Sequence, residues 1–191
     1  MVTVQTRRRG DALLGAIYAA VLEELAESGY SGLSIERVAD RAHTGKASIY
    51  RRWPSRLDLV LDAIDNTLPQ IDDLPDTGRT RDDLTIVLGR IAESMRSRSG
   101  DAVRACFSPG ADEELAEAVR ERLIAPRKAA MLVILQRGVD RGDVRADALT
   151  PRIAEIGPML LHGELMQRGR IDDVAVDEIV DEVLLPLLQP R

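Results

Sequence analysis

The segment from Lys46 to Arg56 carries four basic side chains and no acidic one, in a chain whose formal net charge is −6. The small residues Ala47 and Ser48 stand beside this positive charge. Basic side chains bind phosphate oxygens, and small side chains let a helix approach another surface closely. We therefore interpret the segment as a helix laid in the DNA major groove, with its N-terminal side chains on base edges and its cationic flanks on phosphates.

Helix signals place this segment in a helix-turn-helix. Ser34 is a suitable N-cap for a short first helix, because its hydroxyl can accept a bond from a backbone N–H. His43-Thr44-Gly45 then supplies turn-tolerant residues, and a second helix begins near Lys46. Ile49 and Trp53 fall on the inner side of that second helix. In the first of these two helices, apolar residues recur at helical spacing and are expected to form one buried face: Ile35, Val38, Ala39 and Ala42.

This stretch resembles the DNA-binding domain of the TetR family of bacterial transcriptional regulators, from the first helix of the chain to the fourth. The resemblance rests on Ser34, Val38-Ala39, Ala42-His43-Thr44-Gly45, Lys46, Ala47-Ser48-Ile49-Tyr50, Trp53 and Ser55-Arg56. Two positions depart from the family pattern. His43 stands where glycine is usual, so it must adopt a turn conformation that histidine tolerates less well. Gly45 stands where serine is usual, so a side-chain cap on the second helix is missing.

The resemblance implies an all-α homodimer. Its N-terminal three-helix domain contains the helix-turn-helix, and its C-terminal helical domain binds a ligand and dimerises. The base contacts are assigned to Thr44, Lys46, Ala47, Ser48 and Arg51. The phosphate contacts are assigned to Ser34, Tyr50, Arg52 and Arg56. The implied function is a ligand-responsive repressor that binds a palindromic operator.

Helical periodicity continues through the rest of the chain. Residues 69–79, with two prolines, a glycine and three aspartates, have the composition of a linker. We therefore divide the chain into a DNA-binding domain with its linking helix, residues 1–68, and a ligand-binding and dimerisation domain, residues 69–191. Pro126 and Pro158 are expected to kink or split their helices. The predicted helices are 11–28, 55–68, 80–97, 101–107, 111–141, 150–169 and 174–188.

Two further sites follow from the resemblance. An apolar effector cavity is expected, with the walls Leu88, Met95, Phe107, Leu123, Met131 and Met159 and His162 as a polar anchor. Methionine also fills gaps in cores, so these methionines have an equally good structural explanation. The helices 150–168 and 174–188 are expected to pair with their copies across a two-fold axis. The interface residues are Leu161, Leu165, Val180 and Leu184.

Composition excludes several classes of protein. The single cysteine, Cys106, excludes an internal disulfide framework and fits a reducing cytoplasm. No apolar run is long enough for a membrane span, and no signal peptide is evident. Residues 1–66 hold nine basic and nine acidic residues, so the negative charge lies in the remainder. Arg7-Arg8-Arg9 belongs either to a mobile basic arm or to a frayed terminus without a role.

The two histidines are far apart, and no catalytic or metal-binding constellation is visible. We therefore expect no enzyme activity and no cofactor or metal. The expected partners are a double-stranded DNA operator, a small apolar or amphipathic effector and a second copy of the chain. The alternatives are a helical small-molecule-binding or interaction protein without operator binding, and an activator of the same family.

Overall fold

The computed structural model describes residues 10–70, 72–107, 110–172 and 174–190, without the side chains of residues 98 and 99. Arg7-Arg8-Arg9 of the predicted basic arm lies outside these residues. The described residues form helices and contain no strand, which confirms the predicted all-α class. The α-helices are α1 (Asp11–Gly32), α2 (Ile35–Arg41), α3 (Lys46–Tyr50), α4 (Arg56–Asp65), α5 (Thr80–Arg96), α6 (Arg98–Ala105), α7 (Glu113–Val119), α8 (Ala125–Arg141), α9 (Pro151–Arg168), α10 (Ala175–Glu178) and α11 (Leu185–Leu188).

Packing divides the chain into two compact units. The first unit comprises Met1–Thr67 and Arg98–Arg120, and the second comprises Leu68–Ser97 and Glu121–Arg191. Packing thus places residues 98–120 with the helix-turn-helix, whereas the division at residue 68 assigned them to the C-terminal domain. The physical reason is that α6 packs on α1 and α4, and α7 packs on α4. The functional division at residue 68 stays a prediction.

In the first unit α1 packs against α2, α4 and α6. The prediction ended this helix at Ser28, and the backbone does leave the helical conformation at the next residue. Gly29 has φ 65° and ψ 177°, a conformation that suits a residue without a Cβ. The residues from Tyr30 to Gly32 form a separate short turn beyond this kink, so the predicted end of the first helix is confirmed.

The second unit has an aliphatic core, as the low aromatic content predicts. α5 packs against α8, α9 and α10, and α8 packs against α9. The helices begin and end at the predicted signals: Thr150 Oγ1 accepts a bond from Ile153 N at 3.2 Å, and Gly169 ends α9 with φ 70°. The core includes Leu84, Leu88, Ile134, Leu135, Leu161, Val180, Leu184 and Leu188.

Two prolines follow π-helical turns. Pro126 splits the predicted helix 111–141 as expected: the π-helical turn Arg120–Ile124 separates α7 from α8, and Pro126 lies in the first turn of α8. A second π-helical turn, Ile179–Leu184, precedes Pro186 at the start of α11. The wider turn accommodates the proline ring and its missing N–H. Pro158, by contrast, lies inside α9, which continues through it.

Gly138 marks a close approach between α8 and the loop that follows it. A Cβ at this position would lie 2.5 Å from Val144 Cγ2 and 2.6 Å from Thr80 Oγ1, and both neighbours are buried. We expect Gly138→Ala to lower the free energy of unfolding by about 1–3 kcal/mol, because neither neighbour has room to move. Urea unfolding measures this. Gly89→Ala in α5, where an added Cβ meets nothing within 4 Å, is the control and should be neutral or stabilising. Equal effects of the two changes would contradict the expectation.

Candidate nucleic-acid interface

The turn before α3 has the conformation that its unusual residues require. His43 has φ 53°, in the left-handed region, and Gly45 N-caps α3 without a side-chain bond. Backbone bonds close the turn: His43 N donates to Asp40 O at 3.1 Å, and Thr44 N donates to Ala39 O at 2.9 Å. Both structural consequences of the departures from the family pattern are confirmed.

The predicted cap and inner face of α2 are also confirmed. Ser34 Oγ accepts a bond from Arg37 N at 3.4 Å, so the helix begins where the prediction placed its start. The apolar stripe of this helix is buried, at Leu33, Ile35, Val38, Ala39 and Ala42. Packing of this stripe fixes which side of α2 remains available to a partner.

One side of α3 packs into the core, and the opposite side is exposed to solvent. Ile49 is 1% exposed and Trp53, just after the helix, is 6% exposed, so both belong to the core. Tyr50 is 54% exposed although it lies between these two residues in sequence. The predicted base contacts Lys46, Ala47 and Arg51 are exposed, as is Arg52, while Thr44 and Ser48 are partly exposed. The structure therefore leaves the predicted contacts on this segment accessible to DNA.

Two predicted phosphate contacts have partners within the protein. Ser34 Oγ donates to Glu36 Oε2 at 3.1 Å, and it lies partly exposed at the start of α2. Arg56 lies partly buried at the start of α4, with its guanidinium carbon 4.2 Å from the centroid of the Tyr30 ring. A stacked guanidinium keeps its charge and its in-plane donors, so this contact orients Arg56 and leaves it able to bind phosphate.

A hydrogen-bonded cluster anchors the end of the α3 segment. Trp53 Nε1 and Tyr18 Oη both donate to Asp62 Oδ2, each at 2.7 Å, and the two rings meet edge to face with centroids 6.1 Å apart. Burial and then the bond to Asp62 raise the pKa of Tyr18, so the phenol stays protonated and donates. Sequence reasoning placed Trp53 in the core but missed Asp62 and Tyr18. The available signal was that a buried indole N–H needs an acceptor.

A cluster of ion pairs joins α1 to α2. Glu24 has a fully buried side chain; Arg37 Nε lies 2.7 Å from its Oε2, and an Arg41 guanidinium nitrogen lies 3.1 Å from its Oε1. Arg41 also pairs with Glu23 at 3.2 Å and with Glu27, and its hydrogen bond lowers the pKa of Glu27. Sequence reasoning missed this cluster. Glu24 lies three residues after the core residue Val21, so helical spacing alone would have placed its carboxylate on the inner face.

A further ion pair lies on the exposed surface around α3. Lys46 Nζ donates to Glu36 Oε1 at 2.6 Å, which links the start of α3 to the first turn of α2. The hydrogen bond from Lys46 is the largest of the effects that lower the pKa of Glu36 to about 2. Glu36 is therefore a carboxylate throughout the physiological pH range, and it adds a negative charge beside the predicted DNA contacts.

Within residues 10–70, 72–107, 110–172 and 174–190, no group of three or more histidine, cysteine or carboxylate side chains is placed to hold a metal ion. Cys106 is buried, and burial raises its pKa to about 11. None of the helices in the described part of the chain has the length and apolar character needed to cross a membrane.

Comparison with known proteins agrees with this geometry. Residues 17–63 match the family model described as bacterial regulatory proteins, tetR family, and residues 74–183 match the tetracyclin repressor-like C-terminal domain. A DNA-binding transcriptional repressor TetR of Mycobacteroides abscessus is 32% identical over 187 residues, which cover 95% of this chain and 97% of the relative. The chain belongs to the TetR family. It is a DNA-binding transcriptional regulator.

Other TetR-family relatives show the same full-length match. The uncharacterised regulator YdeS of Bacillus subtilis is 27% identical over 189 residues, 98% of this chain and 92% of the relative. The crystal structure of the TetR-family regulator SCO0332 is 28% identical, with a TM-score of 0.64, and covers 94% of this chain and 100% of that one. FadR from Bacillus subtilis, solved in complex with stearoyl-CoA, shares the fold at 17% identity with a TM-score of 0.68, over 91% of this chain and 97% of that one.

The predicted cavity walls do not enclose one space. Met159 is 59% exposed, His162 is exposed, and Phe107 is exposed within the first unit, so the prediction is corrected for these three. Met159 and His162 lie on the side of α9 that faces outward. Phe107 follows the end of α6 by two residues and is exposed as well. Leu88, Leu123 and Met131 are buried and Met95 is partly buried.

The second unit contains two small apolar recesses that share Met131 as a wall. One has a volume of about 40 Å³ and is lined by Pro69, Gln70, Leu74, Val87, Ile91, Arg127, Ala130 and Met131. The other has a volume of about 10 Å³ and is lined by Leu84, Met131, Leu135, Ile153, Ala154, Gly157, Leu184 and Leu188. Each holds at most a few atoms, so an effector of ordinary size would have to widen them.

The predicted interface residues are also corrected. Leu161, Leu165, Val180 and Leu184 are all buried in the core of a single second unit, so their side chains do not form a surface for another copy. The physical reason is that two segments are each apolar on more than one side: α9, which carries Leu161 and Leu165, and residues 175–188, which carry Val180 and Leu184. Its exposed apolar side chains are Met159, Leu160 and Met166.

Proposed function

We propose that this TetR-family regulator is a repressor, which binds a palindromic operator as a homodimer and leaves it when a small molecule occupies the second unit. The observation that carries the proposal is the two-sided α3 segment. Ile49 and Trp53 are held in the core, while Lys46, Tyr50 and Arg51 are exposed on a segment without acidic residues. A rigidly anchored, cationic helix is what major-groove recognition requires.

The surface around α3 can supply both kinds of DNA contact. Ala47 and Ser48 allow close approach to base edges, and Arg51 offers the forked donors that bind guanine. Tyr50 and Arg52 are exposed at the end of the helix, where a phenol or a guanidinium can reach a phosphate oxygen. Shape and base contacts would then determine sequence preference, while the cations supply affinity.

The exposed apolar side chains of α9 support the homodimer. Met159 and Met166 are seven residues apart and therefore lie on one line of the helix, with Leu160 beside it. Gly163 lies within the same stretch, and no atom lies within 4 Å of where its Cβ would be. A second copy of α9 could therefore approach closely and cover the methionines. Two-fold pairing of identical helices matches a palindromic operator.

The recesses around Met131 support a ligand response. Their walls are almost entirely aliphatic, and Arg127 at the larger one donates to Leu123 O at 2.8 Å and to Pro69 O at 3.1 Å. An apolar or amphipathic effector that widened them would displace residues at the start of the linker, where Pro69 and Gln70 line the larger recess. FadR is a protein of this fold that was solved with stearoyl-CoA, so stearoyl-CoA belongs among the first compounds to test. A coupling of about 1–3 kcal/mol between effector and operator is expected.

The experiment is a fluorescence-anisotropy titration of duplex DNA from upstream of the chain's own gene, with a scrambled duplex as reference. We expect Tyr50→Phe and Arg52→Ala each to weaken binding to both duplexes by a similar factor, about three- to tenfold, and Arg52→Ala to lower the salt slope by about one. Arg51→Ala should instead reduce the preference for the upstream duplex, because it is assigned to base edges.

Arg79→Ala is the matched control, since it removes an exposed arginine from the second unit. If Arg52→Ala weakens binding no more than Arg79→Ala, the phosphate assignment is wrong. A wild-type chain that binds neither duplex would favour the alternative of a helical binding protein without an operator. Transcription from the bound promoter that rises with the protein would favour an activator.

A further inference from the structure

The carboxylate of Glu36 engages two of the predicted DNA contacts at once. Its Oε1 accepts a bond from Lys46 Nζ at 2.6 Å, and its Oε2 accepts a bond from Ser34 Oγ at 3.1 Å. Lys46 is assigned to base edges and Ser34 to phosphate. All three side chains are reachable from solvent, so this cluster lies on the surface that DNA would approach.

We propose that Glu36 is a specificity-determining residue, which keeps Lys46 from the phosphates of any DNA sequence but leaves its remaining N–H donors available to a base edge of the operator. This rests on the proposed function as an operator-binding regulator. On DNA of arbitrary sequence, Lys46 would have to leave a carboxylate in order to gain a phosphate, an exchange of one anionic partner for another. On the operator, Lys46 keeps its bond to Glu36 and donates its other N–H groups to a base edge such as guanine O6 or N7, so no bond has to be exchanged.

Glu36 affects binding to the operator and binding to other DNA sequences differently. A permanently charged carboxylate among the DNA contacts repels phosphates, and repulsion acts on every DNA sequence. Non-specific binding is supplied almost wholly by phosphate contacts, whereas operator binding also includes base contacts. This repulsion weakens both kinds of complex and leaves their ratio unchanged. The phosphate contact that Lys46 does not make while it is bonded to Glu36 is replaced by a base contact only on the operator, so Glu36 weakens non-specific complexes by the larger factor and the ratio increases.

The size of the effect follows from the exposure of the pair. Both side chains are about half exposed, so the pair belongs with surface ion pairs, whose loss changes affinity by at most about fivefold. Without Glu36, Lys46 should make about one additional phosphate contact in non-specific complexes. The slope of log affinity against log salt concentration should therefore steepen by about one.

The test compares Glu36→Gln with Asp40→Asn in the full-length chain. Asp40 is exposed one turn later on the same helix, and its replacement changes the net charge equally without touching Lys46 or Ser34. The probes are a duplex selected by the wild-type protein from a random pool and a scrambled duplex of the same length. Circular dichroism and thermal unfolding confirm that each variant is folded.

We expect Glu36→Gln to tighten binding to the scrambled duplex about fivefold more than Asp40→Asn does, to steepen its salt dependence, and to tighten the selected duplex less. In a Lys46→Ala background most of the difference should disappear. Equal gains on both duplexes, effects equal to those of Asp40→Asn, or effects that persist without Lys46 would overturn the proposal. So would loss of operator binding in a folded Glu36→Gln protein, since Glu36 would then itself read a base. A wild-type chain without any sequence preference would instead refute the proposed function.

Discussion

Leu161→Glu is expected to unfold the second unit, whereas Met159→Glu, two residues earlier on α9, is expected to give a folded monomer. Leu161 is fully buried among the aliphatic residues of the core, so a carboxylate there would be buried without a partner. Such changes cost more than about 4 kcal/mol of unfolding free energy. Met159 is largely exposed, so a charge at this position costs the isolated chain little.

Urea unfolding and light scattering at micromolar concentration separate the two roles. Leu161→Ala provides the matched control: it should lower stability by about 2–5 kcal/mol and leave the surviving folded protein dimeric. Met159→Glu should keep the unfolding free energy of the monomer but abolish the dimer. A dimeric Met159→Glu protein would show that the exposed face of α9 is not the interface. A folded, monomeric Leu161→Glu protein would contradict its placement in the core.

Glu24→Ala is expected to lower the free energy of unfolding by about 2–3 kcal/mol. The change removes a fully buried carboxylate and leaves Arg37 and Arg41 without their central partner. Removing one partner from an ion pair in which both side chains are buried lowers the free energy of unfolding by more than this. Here both arginines reach solvent, so water can hydrate them once Glu24 is removed. Because Glu24 holds α2 against α1, operator affinity should fall together with stability.

The neighbouring residue Glu23 offers the control for this prediction. It also pairs with Arg41, at 3.2 Å, but its side chain is more than half exposed. Glu23→Ala should therefore change the free energy of unfolding by less than about 0.5 kcal/mol. Chemical denaturation of both variants measures the difference. Losses of similar size would mean that burial of Glu24 has no energetic consequence.

The helix-turn-helix could be predicted from sequence because its signals are local. The cap at Ser34, the helical spacing of Val38 and Ala42, and the inward side of Ile49 each depend on residues within two turns. The same is true of the start of α9 at Thr150. Local signals of this kind do not depend on long-range contacts, and the structure agrees with them.

The errors concern questions that spacing along one helix does not answer. On α9 both the Leu161 side and the Met159 side are apolar, and helical spacing alone does not tell which side faces the chain's own core. The prediction that His162 lines a cavity is wrong for the same reason. For Glu24, spacing indicates the inner face, but its partner Arg37 lies on another helix and does not follow from spacing. These features follow from tertiary packing, which a pattern of apolar positions describes only in part.

The π-helical turns before Pro126 and Pro186 determine which single-residue deletions the two helical segments can accommodate. Such a turn holds one residue more than an α-helix of the same extent, so each behaves as a single-residue insertion matched to its proline. Deleting an exposed residue such as Glu182 while replacing Pro186 with alanine should restore a regular helix with the same buried faces. Replacing the proline alone would leave the extra residue, and a regular helix would then turn Leu188 about 100° away from the core. At these sites substitution and deletion are tolerated only as a pair.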